Sequence, residues 1–296
     1  MVLRTLQRAA VTLSVVLAGA LSLPVLAAIP IQHWTQPSGA RVYLVESPSI
    51  PMLDVQLDFD AGSRRDPASQ AGLASVTALM TGKGVAARGA EPALDENQLG
   101  EAWADLGSAF GASADSDRMS FTLRTLTDPE LLRQSVRLAA RQLGEPSWPE
   151  DVWERERERL SAAIKESRTR PGTVASLAFE SAVYGAHPYG FETTPESLAR
   201  IGVADMRSRY AATIAPCRAK GSLVGAVTRA QADQIVAELL ARLPPGADCA
   251  PLPAVAEIAP LAAPVDERIA FESAQAHVLI GQPGYKRSDP EFFALL

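Results

Sequence analysis

Residues 53–59 constrain this chain more than any other stretch. Leu53, Val55, Leu57 and Phe59 alternate with Asp54, Gln56 and Asp58, the period-two pattern of a strand with one buried and one wet face. Met119–Leu126 repeats it, with Met119, Phe121 and Leu123 on one side. Asp115-Ser116-Asp117 supplies a turn from a preceding strand near Ser108–Ala112, and Ser49 to Pro51 joins 53–59 to a strand at Arg41–Glu46. Gly221–Val227 reads as a further strand.

Helices with clear start and stop signals lie between and after these strands. One runs from about Ser69 to Thr81, with Leu73, Val76 and Met80 at helical spacing and Gly82 as its stop. Asp128-Pro129 is an N-cap with proline at the first helical position, and Gly144 closes that helix. Pro149 opens a charged helix to about Arg168, whose Glu154–Arg159 run is a solvated face of alternating charges. Thr173–Tyr184 and Thr194–Tyr210 are further helices, the latter broken near Gly202, and Thr228 caps one ending near Leu243.

The chain of 296 residues is 47% hydrophobic and 21% charged, a composition that supports a buried core and argues against disorder. A net charge of −6 argues against a nucleic-acid binder, which normally carries a basic face. At the N-terminus, Arg4 and Arg8 precede an apolar run from Ala9 to about Leu23, and Val25-Leu26-Ala27 offers a cleavage site. Residues 1–28 read as a secretory signal; the alternative is an uncleaved anchor, although the run falls short of the roughly 20 residues a span needs. No later segment is apolar for long enough to cross a bilayer, so an exported chain, periplasmic by preference, is expected. Cys217 and Cys249 are the two cysteines. In an oxidising compartment they either pair or stand as two thiols, because sequence does not fix their separation.

From Pro244 to Pro264 six prolines mark an extended linker. Arg268–Glu272 and His277–Gln282 look like strands beyond it. The chain stops on Phe292-Phe293-Ala294-Leu295-Leu296, which reads as a fragment of something longer. Gly284, Arg287-Ser288-Asp289-Pro290 and an apolar helix start echo Gly62, Arg65-Asp66-Pro67 and the helix after it. The expected organisation is a first domain over 29–247, a linker over 248–264 and an incomplete second domain over 265–296.

The segment Phe59-Asp60-Ala61-Gly62-Ser63-Arg64-Arg65-Asp66-Pro67, followed by Ala71-Gly72-Leu73-Ala74 and Gly82-Lys83-Gly84, resembles the start of an M16 (pitrilysin/insulinase-type) zinc peptidase domain. His187-Pro188-Tyr189-Gly190 after Tyr184-Gly185, and Tyr210 with Pro216-Cys217-Arg218, are similar to later landmarks of that family. The resemblance extends in order from about Gln32 to Leu296. It implies an α+β, M16-peptidase-like (LuxS/MPP-like) fold, with helices packed on a mixed, largely antiparallel sheet. It also implies two similar domains per chain, and pairs of chains closing around a peptide.

The departures from the family pattern decide the functional expectation. In that family a helix carries His-x-x-Glu-His; its two imidazoles bind Zn²⁺ and its carboxylate is the general base. The matching positions here are Ser75, Ala78 and Leu79. A methyl and an isobutyl group neither ligate a metal nor take a proton. The third ligand, a glutamate in the family, falls near Ala162 or Ala163, with Glu166 the nearest carboxylate. The three histidines, His33, His187 and His277, are far apart in sequence. No Gly-x-Ser-x-Gly elbow, dinucleotide fingerprint or phosphate loop is present.

No cofactor is therefore expected in this chain, with zinc confined to an active partner. The resemblance implies a non-catalytic subunit that forms a heterodimer with an active M16 chain, or self-associates, and encloses an extended peptide. A stand-alone periplasmic peptide-binding or scaffold protein is the alternative, and an active zinc metalloendopeptidase is the third reading.

Overall fold

The computed structural model describes residues 30–244 and 249–295; the expected signal, residues 1–28, lies outside them. Gln32–Leu296 make up one compact unit.

The alternating segments pair as their wet and dry faces require. Strands β1 (Gln32–Thr35), β2 (Arg41–Glu46), β3 (Met52–Phe59), β6 (Ala109–Ala114), β7 (Met119–Leu126) and β8 (Lys220–Gly225) form one sheet. Their order is β1-β2-β8-β3-β7-β6. β2 and β8 are parallel and every other pair is antiparallel. The register aligns Val55 with Leu123 on one side and Leu223 on the other, so one face is a continuous apolar sheet. Leu53, Val55, Leu57, Phe59, Met119, Phe121, Leu123 and Leu223 are all buried on it. Asp54 and Arg124, opposed on the wet face, form an exposed ion pair at 2.6 Å. Two short strands, β4 (Gly84–Val85) and β5 (Leu94–Asp95), pair separately.

The helices are α1 (Leu73–Met80), α2 (Glu96–Asp105), α3 (Pro129–Gly144), α4 (Glu150–Ser167), α5 (Pro171–Tyr184), α6 (Pro195–Leu198), α7 (Val203–Thr213) and α8 (Arg229–Leu240); α1 and α2 pack on β6, α3 on β7 and α8 on β2. The caps read in the sequence are formed. Asp128 accepts from the amides of Glu130 and Leu131, and Thr228 makes a reciprocal box with Gln231. The ends of α3 and α8 approach so closely that a Cβ on Gly144 would lie 2.5 Å from the Cβ of Arg242. Buried polar tips are paired: Trp153 Nε1 donates to the Ile201 carbonyl at 2.9 Å and the Tyr210 hydroxyl to the Leu143 carbonyl at 2.6 Å.

Several boundaries differ from expectation for identifiable reasons. The helix expected from Ser69 begins at Leu73, because Gly72 takes a left-handed φ of +99° and the chain before it forms two 3₁₀ turns. The break expected near Gly202 divides the segment from Thr194 into α6 and α7, with Gly202 as the N-cap of the second, which runs on to Thr213 rather than ending at Tyr210. The strands expected at Arg268–Glu272 and His277–Gln282 are not formed. Residues 249–288 contain no helix or strand, and the chain next turns helical at α9 (Phe292–Leu295). Alternation makes a strand only where a neighbouring ladder accepts its amides and carbonyls, and among the described residues none runs beside this segment.

Candidate functional site

The turn of α1 from Ser75 to Leu79 is where the family chemistry would reside, and its surroundings are built with care. β3 ends at Phe59, and Asp60 then receives Arg64 and Arg65. Burial alone would raise the Asp60 pKa, but hydrogen bonds from Arg65 and Arg64 prevail and hold it at about 2. Gly62 lies against the hairpin joining β6 to β7: a Cβ there would come within 2.4 Å of the Arg118 nitrogen. Ser63 and Arg64 amides donate to the carbonyls of Asp115 and Ser116 at 3.0 and 2.9 Å. Asp117 closes the contact by accepting from Arg64 and from the Tyr189 hydroxyl at 2.6 Å.

Asp66 caps the helix itself. Its carboxylate accepts from the amides of Gly72 and Ala74, each at 3.2 Å, and meets Arg209 of α7 at 3.2 Å. Burial pushes its pKa up to about 6, against the opposing pull of those amides and of Arg209. Arg209 also donates to the Arg65 and Gly62 carbonyls at 2.7 and 2.8 Å. At the other end of α1, Lys83 reaches Glu96 of α2 at 2.6 Å and Glu156 of α4 at 3.1 Å. The helix is thus fixed at both ends, and it packs on β6, one open edge of the sheet.

The side chains on that fixed helix do not fit a zinc ion. Ser75 is exposed, Ala78 is buried and Leu79 is half-buried. A neutral hydroxyl is a poor zinc ligand, and two hydrocarbon groups offer no lone pair. Ala162 and Ala163 are exposed on α4, and the exposed Glu166 is engaged with Arg170 at 2.6 and 2.8 Å. Among the described residues, no three His, Cys, Asp or Glu side chains are grouped closely enough to share an ion.

The histidines serve elsewhere. His33 stacks on Tyr43. His187 caps the turn before Tyr189, accepting that residue's amide at 3.2 Å, while its other nitrogen meets the Ala256 carbonyl at 2.9 Å. His277 lies against Gly172. The cysteines, whose pairing the sequence leaves open, are joined: Cys217 and Cys249 form a disulfide with Cα atoms 6.0 Å apart. Closing that loop stabilises the fold by roughly 3–4 kcal/mol in the chain-entropy account. The Asp66–Arg209 pair is invisible to sequence reasoning, since nothing local to Arg209 marks it as the partner of a residue so distant in the chain.

An α+β domain with helices on one face of a mixed sheet, and a fixed but ligand-free helix turn at its open edge, defines a peptidase-like scaffold. Residues 41–195 match the model for insulinase (Peptidase family M16), and the chain belongs to that family.

Solved structures share the fold. The chain is similar to a peptidase M16 inactive domain from Pseudomonas fluorescens, with a TM-score of 0.71 at 29% identity, covering 78% of this chain and 54% of that one. A Helicobacter pylori protease follows with a TM-score of 0.65 at 18% identity, covering 77% of this chain and 54% of that one. The periplasmic protease PqqL from Escherichia coli gives a TM-score of 0.63 at 16% identity, covering 78% and 26%. The chain therefore spans about half of the first two structures and about a quarter of the third. A search of curated proteins found no significant match.

Proposed function

We propose that this chain is a non-catalytic M16 subunit that pairs with an active zinc peptidase chain and supplies part of the surface enclosing an extended peptide. The observation that carries the reading is a retained scaffold around Ser75, Ala78 and Leu79: Asp66, Arg209 and Lys83 still brace a helix that has lost its ligands. The name of the Pseudomonas fluorescens relative, an inactive domain, supports it.

β6 gives the peptide a physical reason to bind. It is an edge strand of uncharged residues, Ala109–Ala114, whose outer backbone groups join no ladder among the described residues. An extended chain adds to such an edge through main-chain hydrogen bonds. The proposal includes the organisation expected from the sequence, a first domain to residue 247, a linker to 264 and the start of a second domain beyond. It also includes export: a disulfide fits an oxidising compartment. Among the described residues no helix is long and apolar enough to cross a membrane.

The test is co-expression with an M16 chain that has an intact His-x-x-Glu-His motif. The proposal expects a stoichiometric complex on size-exclusion chromatography and faster peptide hydrolysis than the active chain achieves alone. Two separate peaks with unaltered hydrolysis would favour a stand-alone binding protein.

A further inference from the structure

The sheet ends in two edge strands, β1 and β6, and their side chains make the edges unlike. At β1 the row on the core side is Gln32 and Trp34, which pair with the buried Leu44 and Val42. Polar and charged groups close that row. Gln32 donates to Glu46 at 2.7 Å, Trp34 Nε1 donates to Asp233 at 2.5 Å, and the Arg229 guanidinium lies 4.8 Å over the Trp34 ring. Charge at an edge discourages a further strand, whose side chains would have to displace it.

β6 is finished differently. Phe110, Ala112 and Ala114 pair with Leu123, Phe121 and Met119 of β7, all buried, and so form the core-side row. Yet each of the three is only half-buried. β7 covers one flank of the row, and among the described residues no strand covers the other. Phe110 stacks on Trp103 of α2 and on Phe121, with ring centres 5.6 and 6.2 Å apart. The row on the open side, Ala109, Gly111 and Ser113, pairs with Arg124, Thr122 and Ser120. A Cβ on Gly111 would meet nothing within 4 Å, and Arg124, the charge in that register, is already matched by Asp54.

A strand laid against β6 alternates in the same way. Every second side chain falls beside Phe110, Ala112 and Ala114, where burial favours apolar groups. Those between fall beside Ala109, Gly111 and Ser113, where solvent and the lack of unmatched charge admit polar groups of either sign. We infer that this edge selects extended segments in which apolar residues alternate with polar ones, with Phe110 and Ala112 setting the apolar positions. The inference rests on the reading that β6 receives the peptide, and it gives that peptide a sequence class.

Fluorescence anisotropy on the full chain tests it with two labelled peptides of one composition. One alternates leucine with polar residues; the other sets its leucines in adjacent pairs. The alternating peptide is expected to bind about tenfold more tightly. Exchanging lysine for glutamate at its polar positions should change affinity by less than about threefold. A benzophenone side chain at one apolar position then locates the peptide by cross-linking, expected within residues 109–114. Equal binding of the two peptides, with cross-links in 109–114, overturns the inference and leaves the β6 reading standing. Cross-links at residues 32–35, or no binding by either peptide, overturn both. Ala112→Asp, which sets a carboxylate in the core-side row, should reduce the preference to within about threefold, and an undiminished preference in the folded variant counts against the inference. If that variant does not fold, the wild-type affinities and cross-links decide.

Discussion

The sheet of residues 32–225 and the extended run of residues 249–288 are written in similar sequence and end in opposite states. Leu53, Val55, Leu57 and Phe59 alternate with polar residues and are buried to within 3% of complete. Ile269 and Phe271, then Val278 and Ile280, also alternate, and they stand 41–93% exposed. β3 has a ladder on both sides, to β7 and β8, whereas the later run has none. Alternation is thus a condition for a strand and not its cause. The cause is a neighbour that pairs the backbone and a helix layer that covers the dry face.

The largest effect that would break this contrast lies in the core. Phe121→Ala removes a fully buried ring that meets Phe59, Phe110 and Tyr210. It should cost about 3–5 kcal/mol in urea unfolding. A loss below about 1 kcal/mol would mean the sheet is not the stabilising unit.

A second effect appears as pH dependence. Asp66 has a folded pKa of about 6 against an ordinary 3.8, so its contribution to stability is complete below about pH 4 and is lost as pH rises through about 6. Asp60, held at about 2, runs the other way: its contribution is present above about pH 4 and disappears as pH falls through about 2. Asp66→Asn should therefore flatten the stability profile between about pH 4 and 6, and Asp60→Asn the profile below about 4. Unaltered slopes in both variants would contradict the assignment of those burial and ion-pair effects.

The smallest effect is expected in the later segment. Ile280→Asp should alter stability by no more than about 0.5 kcal/mol, because that side chain is already 93% exposed. A loss as large as that of Phe121→Ala would show that the segment belongs to the cooperative core.

Much of the body is legible in the sequence because its signals are local. Alternation places β3 and β7, and Asp128 and Thr228 at their caps place α3 and α8. α2 escapes such a reading although Asp95 and Gln98 form a capping box; with Leu99 and Trp103 as its buried residues, its apolar stripe is too sparse to show a period. β1 escapes it because four residues, alternately half-buried and exposed, carry almost no pattern. The strands expected at 268–272 and 277–282 fail for the reason the comparison gives: among the described residues no strand runs beside them to pair their backbone groups.

The site divides the same way. The replacement of ligands at Ser75, Ala78 and Leu79 is a matter of residue type and is visible at once. The bracing of that turn by Asp66 with Arg209, and by Lys83 with Glu156, depends on contacts between distant elements that only the folded chain brings together. The cysteine pairing is open in the sequence for a similar reason, since a separation of 32 residues leaves the distance between the two Cα atoms undetermined.

Zinc stoichiometry measured by mass spectrometry tests the central claim most directly. The wild-type chain, purified alone and dialysed against micromolar zinc, is compared with the Ser75→His/Ala78→Glu/Leu79→His variant. The account predicts substoichiometric metal and no peptide hydrolysis in the wild type, with any gain in metal confined to the variant. One zinc per wild-type chain, retained through gel filtration and accompanied by hydrolysis, would contradict it.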